Sequence, residues 1–301
     1  MPPTSAKKLR TLITNLRHGD TVIRQNAADA LGLTGDPRAM IPLIAALGDP
    51  DPQVRYNAAY ALGALGDLRA YEVLVDVIQD SDEETGMGAI DGLGRLGDRR
   101  AVPIMIAALY DPRRGIRTSA TAALGVLGDP RAVEPLITAL RDREAMVRIG
   151  AAQALGSLGD LRAFNALRAT LNDRDQIVRL NAVKALGRLG DPRALPALID
   201  SLNDTHGHVR RGAADSLGML GDPRAVEALV KALDDSAASL SAVNALGRLG
   251  DPRAVTPLVQ RLINLTQVAQ THQDRLRAVT LMALQRIGTP EALDVVESWR
   301  E

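Results

Sequence analysis

No cysteine occurs in the 301 residues, which excludes disulfides, thiolate metal sites and cysteine nucleophiles and fits a reducing compartment. Aromatic residues make up 2% of the chain against 46% hydrophobic residues, so Ala, Leu, Val and Ile must build the interior. Such side chains suit thin, closely packed helical layers. An excess of charge is missing too: basic and acidic residues number 36 each and are spread along the chain, unlike the footprint of a nucleic-acid binder. Lysine is scarce, with Lys7, Lys8, Lys184 and Lys231 the only four. No run approaches the roughly 20 apolar residues of a membrane span, and the first ten residues lack the apolar core of a signal peptide. These absences predict a soluble, cytoplasmic protein without nucleic-acid or membrane partners.

What the chain does have is a repeat. Gly-Asp-Pro-Arg or a close variant begins at Gly35, Gly66, Gly97, Gly128, Gly159, Gly190, Gly221 and Gly250. The first six intervals are 31 residues, the next is 29, and a degenerate Gly288-Thr289-Pro290-Glu291 follows after 38. A period in this range means stacked supersecondary units. Each unit reads as two helices: Gly128 ends one helix in the left-handed conformation, Asp129 caps the next, and Pro130 sits at its first position, where a missing N–H is harmless. Pro42, Pro135 and Pro257 inside first helices, and Pro103 and Pro196 one position earlier, predict a bend. The expectation is an all-α superhelix of about nine helix pairs forming one solenoid over residues 1–301. It opens with a helix over 4–17 and closes with one over 291–300.

The second helix of the fifth unit carries Val147, Ala151, Ala152, Ala154, Leu155 and Leu158 on one arc of a 3.6-residue period. Inside the equivalent arc falls an arginine: Arg24, Arg55, Arg117, Arg148, Arg179, Arg210 and Arg277. A buried charge requires a partner. Asp49, Asp111, Asp142, Asp173 and Asp204, six residues upstream in the turn between helices, are the candidates for a bidentate ladder from repeat to repeat. A glycine also recurs within the second helix, at Gly32, Gly63, Gly94, Gly125, Gly156, Gly187, Gly218 and Gly247. Each costs about 1 kcal/mol relative to alanine, so their repetition predicts close backbone approach.

Val-Arg-x-x-Ala-Ala-x-Ala-Leu-Gly-x-Leu-Gly-Asp-Pro-Arg-Ala-Val is matched over residues 209–226 except at Ser216, while the copy from Val147 departs at Leu161 and Phe164. The pattern resembles the HEAT repeats of the phycobilisome-lyase-like class, over roughly residues 20–300. That resemblance implies a HEAT-repeat solenoid whose second helices line a concave groove. It leaves two functions open, because the class holds both scaffolds and chromophore-processing factors. One is a non-catalytic scaffold, without cofactor, that binds another protein or peptide segment in the groove. The alternative is a phycobilin lyase subunit or phycobilisome assembly or degradation factor, handling a bilin destined for a cysteine of its partner.

At about 200–300° around the second helix the positions face away from the core, and here the copies differ. One row holds Tyr56, Met87, Leu180, Arg211 and Leu240, and beside it lies Asn57, in a row with Asn26, Gly88, Ser119, Gly150, Asn181, Gly212 and Ser241. A third holds Tyr60, Asp91, Gln153, Lys184, Asp215 and Asn244, and a fourth Arg95, Arg188, Arg248 and Arg286. These are the candidate partner-binding residues, with an apolar or aromatic anchor expected near Tyr56 and Tyr60 and acidic partner residues near the later arginines. Catalytic and metal constellations are not expected. His18, His206, His208 and His272 lie in or near turns, and none is followed by the glutamate that HEAT-fold deoxyhypusine hydroxylases pair with histidine to hold iron. His206-Gly207-His208 supplies two ligands at most and reads as a surface turn.

Two units are irregular. Near 80–97, Asp80-Ser81-Asp82-Glu83-Glu84-Thr85-Gly86 replaces the turn and the Val-Arg pair, and reads as an acidic helix start, a soft joint or, ranked below these, a cation site. Near 234–274 the eighth unit is short, with Ser239 at the arginine place, and residues 262–272 lengthen the next connection.

Overall fold

The computed structural model describes residues 6–80, 82–266 and 271–299, which are helical without a strand. The chain divides into two compact units, Met1–Leu158 and Gly159–Glu301. The first unit comprises five helix pairs: α1 (Ala6–His18) with α2 (Thr21–Gly32), α3 (Met40–Ala46) with α4 (Pro52–Ala64), α5 (Ala70–Asp80) with α6 (Glu83–Leu96), α7 (Val102–Ala108) with α8 (Arg114–Leu127), and α9 (Val133–Ala139) with α10 (Ala145–Leu158). The second holds α11 (Phe164–Thr170) with α12 (Gln176–Leu189), α13 (Leu195–Ser201) with α14 (Gly207–Leu220), α15 (Val226–Lys231) with α16 (Ser239–Leu249), α17 (Val255–Thr266) with α18 (Thr271–Ile287), and a last helix α19 (Pro290–Ser298). Of the expected terminal helices, Thr4 and Arg300 lie outside the described residues.

The Gly-Asp-Pro-Arg corner explains why the chain turns where it does. Gly128 adopts φ 63°, open to glycine without a Cβ penalty, and Asp129 accepts a hydrogen bond from the Arg131 N–H at 3.0 Å. A 3-10 turn, Pro130–Ala132, follows before the α-helix begins at Val133. The prolines of the first helices therefore stand at the start of their α-segments, not inside them. Pro42, Pro135 and Pro257 are third residues, and Pro103 and Pro196 second residues, of their α-segments, within the first turn, whose N–H groups have no intrahelical partner to lose.

Leu43, Leu62, Leu74, Leu93, Leu124, Leu136 and Leu155 are fully buried between the two helical layers of the first unit, as are Leu167, Leu186, Leu198, Leu217, Leu229 and Leu246 in the second. Within each unit every second helix packs on the next one. The helical glycines make the spacing short: a methyl group added at Gly32 would lie 2.8 Å from Ala61, and one at Gly218 2.8 Å from Ala245. The approach is closest between α4 and α6. There a Cβ on Gly63 would fall 1.9 Å from the Gly92 carbonyl oxygen, and one on Gly88 2.5 Å from that of Tyr56.

Candidate functional site

The repeated arginines bind twice. Arg117, with 6% of its side chain exposed, donates from Nε (2.8 Å) and Nη2 (3.1 Å) to both carboxylate oxygens of Asp142, and from Nη1 to the main-chain carbonyls of Asp111 (2.9 Å) and Pro112 (3.1 Å). The same double grip joins Arg179 to the Asp204 carboxylate and the Asp173 carbonyl. Arg210 likewise holds Asp235 and the Asp204 carbonyl, and Arg24 takes Asp49 with the Gly19 carbonyl. For Arg117, Arg179 and Arg210 the aspartate six residues upstream offers its carbonyl, and the ion pair of the ladder expected from repeat to repeat goes to the aspartate 25 residues ahead, in the next repeat. Hydrogen bonds from Arg179 hold the Asp204 carboxyl below the usual carboxylate range against the opposing push of burial. Arg148 donates to the Asp142 and Arg143 carbonyls.

The rungs differ where the repeats do. Arg55 reaches Asp82 and the Thr85 hydroxyl in the irregular third unit. Asp82 caps α6 through the Thr85 N–H, so the acidic stretch acts as a helix start; Ser81 lies outside the described residues. Gly86 stands where that unit's arginine would be, and Arg113 of the following turn reaches back to the Ile78 carbonyl. At the short eighth unit, Arg261 of α17 comes within 3.3 Å of the Ser239 hydroxyl and 3.4 Å of Asp234. Arg277 departs from the ladder. Its guanidinium lies 5.3 Å from the Trp299 ring.

A second set of ion pairs was missed. In all eight corners the arginine of Gly-Asp-x-Arg folds back on its own aspartate, as in Arg131 with Asp129 (2.9 Å) and Arg253 with Asp251 (2.7 Å). Their signal was the unbroken presence of Arg two residues after Asp. The Arg38, Arg69 and Arg131 side chains hold the carboxyls of Asp36, Asp67 and Asp129 down at about 2. Two of these arginines also cover aromatic rings, Arg100 over Tyr71 at 4.3 Å and Arg193 over Phe164 at 4.5 Å.

The second-helix face carries the candidate binding residues, and the structure redraws it. Asn57 does not face out. It is buried at the seam between α2 and α4, with Nδ2 3.4 Å from the Gln25 carbonyl and Oδ1 accepting from Gln53. Gly88, Ser119, Asn181, Gly212 and Ser241 of the same row are buried too. The row consists of Asn, Gly and Ser because neighbouring second helices meet there, and that restriction in size was the overlooked signal. Met87 and Leu180 are half-buried, resting against Gly115 and Gly212. Leu240 and Asn244 are half-buried as well, Asn244 donating to the Leu240 carbonyl.

In the first unit, Tyr56 and Tyr60 stack one turn apart on α4, ring centroids 6.5 Å apart and planes within 6°. The Tyr56 hydroxyl donates to Asp91 of α6 at 2.7 Å, and the Arg95 guanidinium lies 5.9 Å from the Tyr60 centroid. Burial pushes the Asp91 carboxyl up, opposed by hydrogen bonds from Tyr56 and Ser119. Burial and the Asp91 hydrogen bond push the Tyr56 phenol up. Beside them opens a recess of about 550 Å³, with Tyr60, Gly63, Ala64, Asp91, Arg95 and Ala123 among its lining. Gln153 is exposed on α10.

In the second unit Lys184, Arg188, Arg211, Arg248 and Arg286 are exposed, and none makes an ion pair among the described residues. Asp215 is exposed on the same face. Arg211 meets the His208 ring at 2.8 Å, and His206 sits beside Thr205 and Arg179. Among the described residues no three His, Asp or Glu side chains converge as metal ligands, and no helix is long and apolar enough to cross a membrane. The His272 side chain and residues 267–270 of the lengthened connection lie outside the described residues.

The HEAT-repeat family matches in overlapping copies over residues 9–85, 42–125, 72–156, 103–176, 166–241 and 209–264, and the chain belongs to it. No curated protein matches by sequence. Among solved structures, Kap95p in its study with RanGDP superimposes at a TM-score of 0.70 with 14% identity, over 99% of this chain and 49% of that one. The Escherichia coli protein YibA gives 0.60 and 20% over 82% of this chain and 92% of its own. The CpcE and CpcF complex of phycocyanin lyase from Nostoc sp. PCC7120 gives 0.48 and 24% over 80% and 93%. The first two show the α-solenoid fold; the third is too distant in shape to add to it.

Proposed function

We propose that this protein is a non-catalytic scaffold that binds segments of another protein on the face of its second helices. One observation carries the reading: the arginines of the corners are consumed by ion pairs within the chain, whereas Lys184, Arg188, Arg211, Arg248 and Arg286 stand exposed and make none among the described residues. Unpaired cations with one nearby carboxylate, Asp215, suit an acidic segment and steer its approach. Kap95p, also resolved with Nup1, illustrates that a HEAT solenoid takes protein partners. A photo-crosslinking residue placed at Met219, between Arg188 and Arg248 in their row, is expected to capture a protein partner in the cells that make this chain. The same residue at Tyr110, exposed after α7 on the other layer, is the control. Capture from Tyr110 and none from Met219 would refute the assignment.

A further inference from the structure

The recess beside Tyr60 holds a half-buried carboxylate with no cation of its own. Asp91 is met only by neutral hydroxyls, from Tyr56 at 2.7 Å and from Ser119, and it forms no ion pair among the described residues. Arg95, one helical turn further on α6, lies over the Tyr60 ring. A carboxylate withdrawn from water is strongly attracted to a cation that brings N–H donors, and an aromatic face beside it adds to that attraction. The small residues along the recess leave room for the methylene stem that lysine and arginine lay along apolar surface.

We propose that this recess receives a basic side chain, lysine or arginine, of a partner segment, with its cationic head on Asp91 and its stem along Gly63, Ala64 and Ala123. The proposal rests on the scaffold reading and sharpens it, because it replaces the apolar anchor expected from Tyr56 and Tyr60 with a charged one. Asp29, on α2, stands one repeat before Tyr60 in the same row and adds negative charge near Tyr56, whereas Arg95, in the lining of the recess, repels an incoming cation.

Opposite responses of two neighbouring residues test it. A random dodecapeptide library is selected on the full chain, and the best binders crosslinked from position 126 are measured by fluorescence anisotropy. The expected binders carry Lys or Arg at one fixed position; Asp91→Asn weakens them by roughly 10- to 100-fold, and Arg95→Ala tightens them several-fold. Asn keeps the shape of the side chain and a partner for Tyr56, so melting of Asp91→Asn at or above the wild-type temperature certifies the fold. Should that variant melt lower, Ser119→Ala, which frees the carboxylate of a competing donor, is expected to tighten the same peptides. Acidic or neutral binders at this position, or basic ones indifferent to both Asp91→Asn and Arg95→Ala, overturn the proposal while leaving the scaffold reading intact. A library that yields no binder on this face counts against both.

Discussion

Replacing Arg117 with alanine removes four hydrogen bonds at once, two to the Asp142 carboxylate and two to main-chain carbonyls. Asp142 keeps the Glu144 N–H at 2.8 Å, which lowers the penalty of leaving its charge unpaired. Breaking a buried ion pair from one side costs about 3–5 kcal/mol. With 6% and 14% of the two side chains exposed and that N–H retained, the lower end applies, about 3 kcal/mol. Arg131→Ala provides the contrast. It also breaks a bidentate pair, but 56% of the arginine side chain is in water, where such pairs contribute about 0–1 kcal/mol. Urea titration gives the midpoints, and hydrogen exchange is expected to localise the Arg117→Ala loss to residues 109–117 and 140–148. Adding Asp142→Asn to Arg117→Ala should recover part of the loss, because the orphaned charge is gone. Equal destabilisation by Arg117→Ala and Arg131→Ala, or a loss below about 1 kcal/mol for the former, would show that the ladder does not hold adjacent repeats together.

Gly63→Ala should cost about 3 kcal/mol because its methyl meets the Gly92 carbonyl at 1.9 Å and backbone must move; Gly94→Ala, facing Ala123 at 2.9 Å, should lower the melting temperature less, and the reverse order would refute the α4 and α6 contact. Asp36, Asp67 and Asp129 have folded values held near 2, below the 3.8 of the free side chain. Their stabilisation is therefore complete above about pH 4 and is lost as pH falls towards 2, visible as a melting temperature that drops across that window and less steeply in Arg131→Ala. Asp91 has the opposite sign: its raised value means the ionised form opposes folding. Asp91→Asn should thus raise the melting temperature at neutral pH and lose that advantage below about pH 4.

The fold was legible because the period writes the same instructions nine times over. Gly128, Asp129 and Pro130 each act on the next two or three residues, so their effect is readable without knowing what packs above them. The partner of Arg117 was not, since Asp111 and Asp142 both sit in turns and choosing between them requires the displacement from one repeat to the next. The same ignorance placed Asn57 on the open face, although the absence of any side chain larger than Asn in its row marked a closed seam. Asp91 reaches Tyr56 across 35 residues, a distance no local pattern encodes. Arg113 and Arg261 step into rungs left vacant at Gly86 and Ser239 from outside the repeat motif, and the motif therefore gave no hint of them.

Each rung takes its carbonyl from its own repeat and its carboxylate from the next. A repeat copied in frame thus arrives with both halves of a joint, an arginine for the neighbour ahead and an aspartate for the neighbour behind. Such a chain can lengthen by duplicating a 31-residue segment without inventing a contact, and can shorten by deleting one. Deletion of half a segment would separate each arginine from its aspartate, so whole repeats are the natural unit in which this architecture gains and loses length, and every copy gained brings another stretch of second-helix face free to diverge.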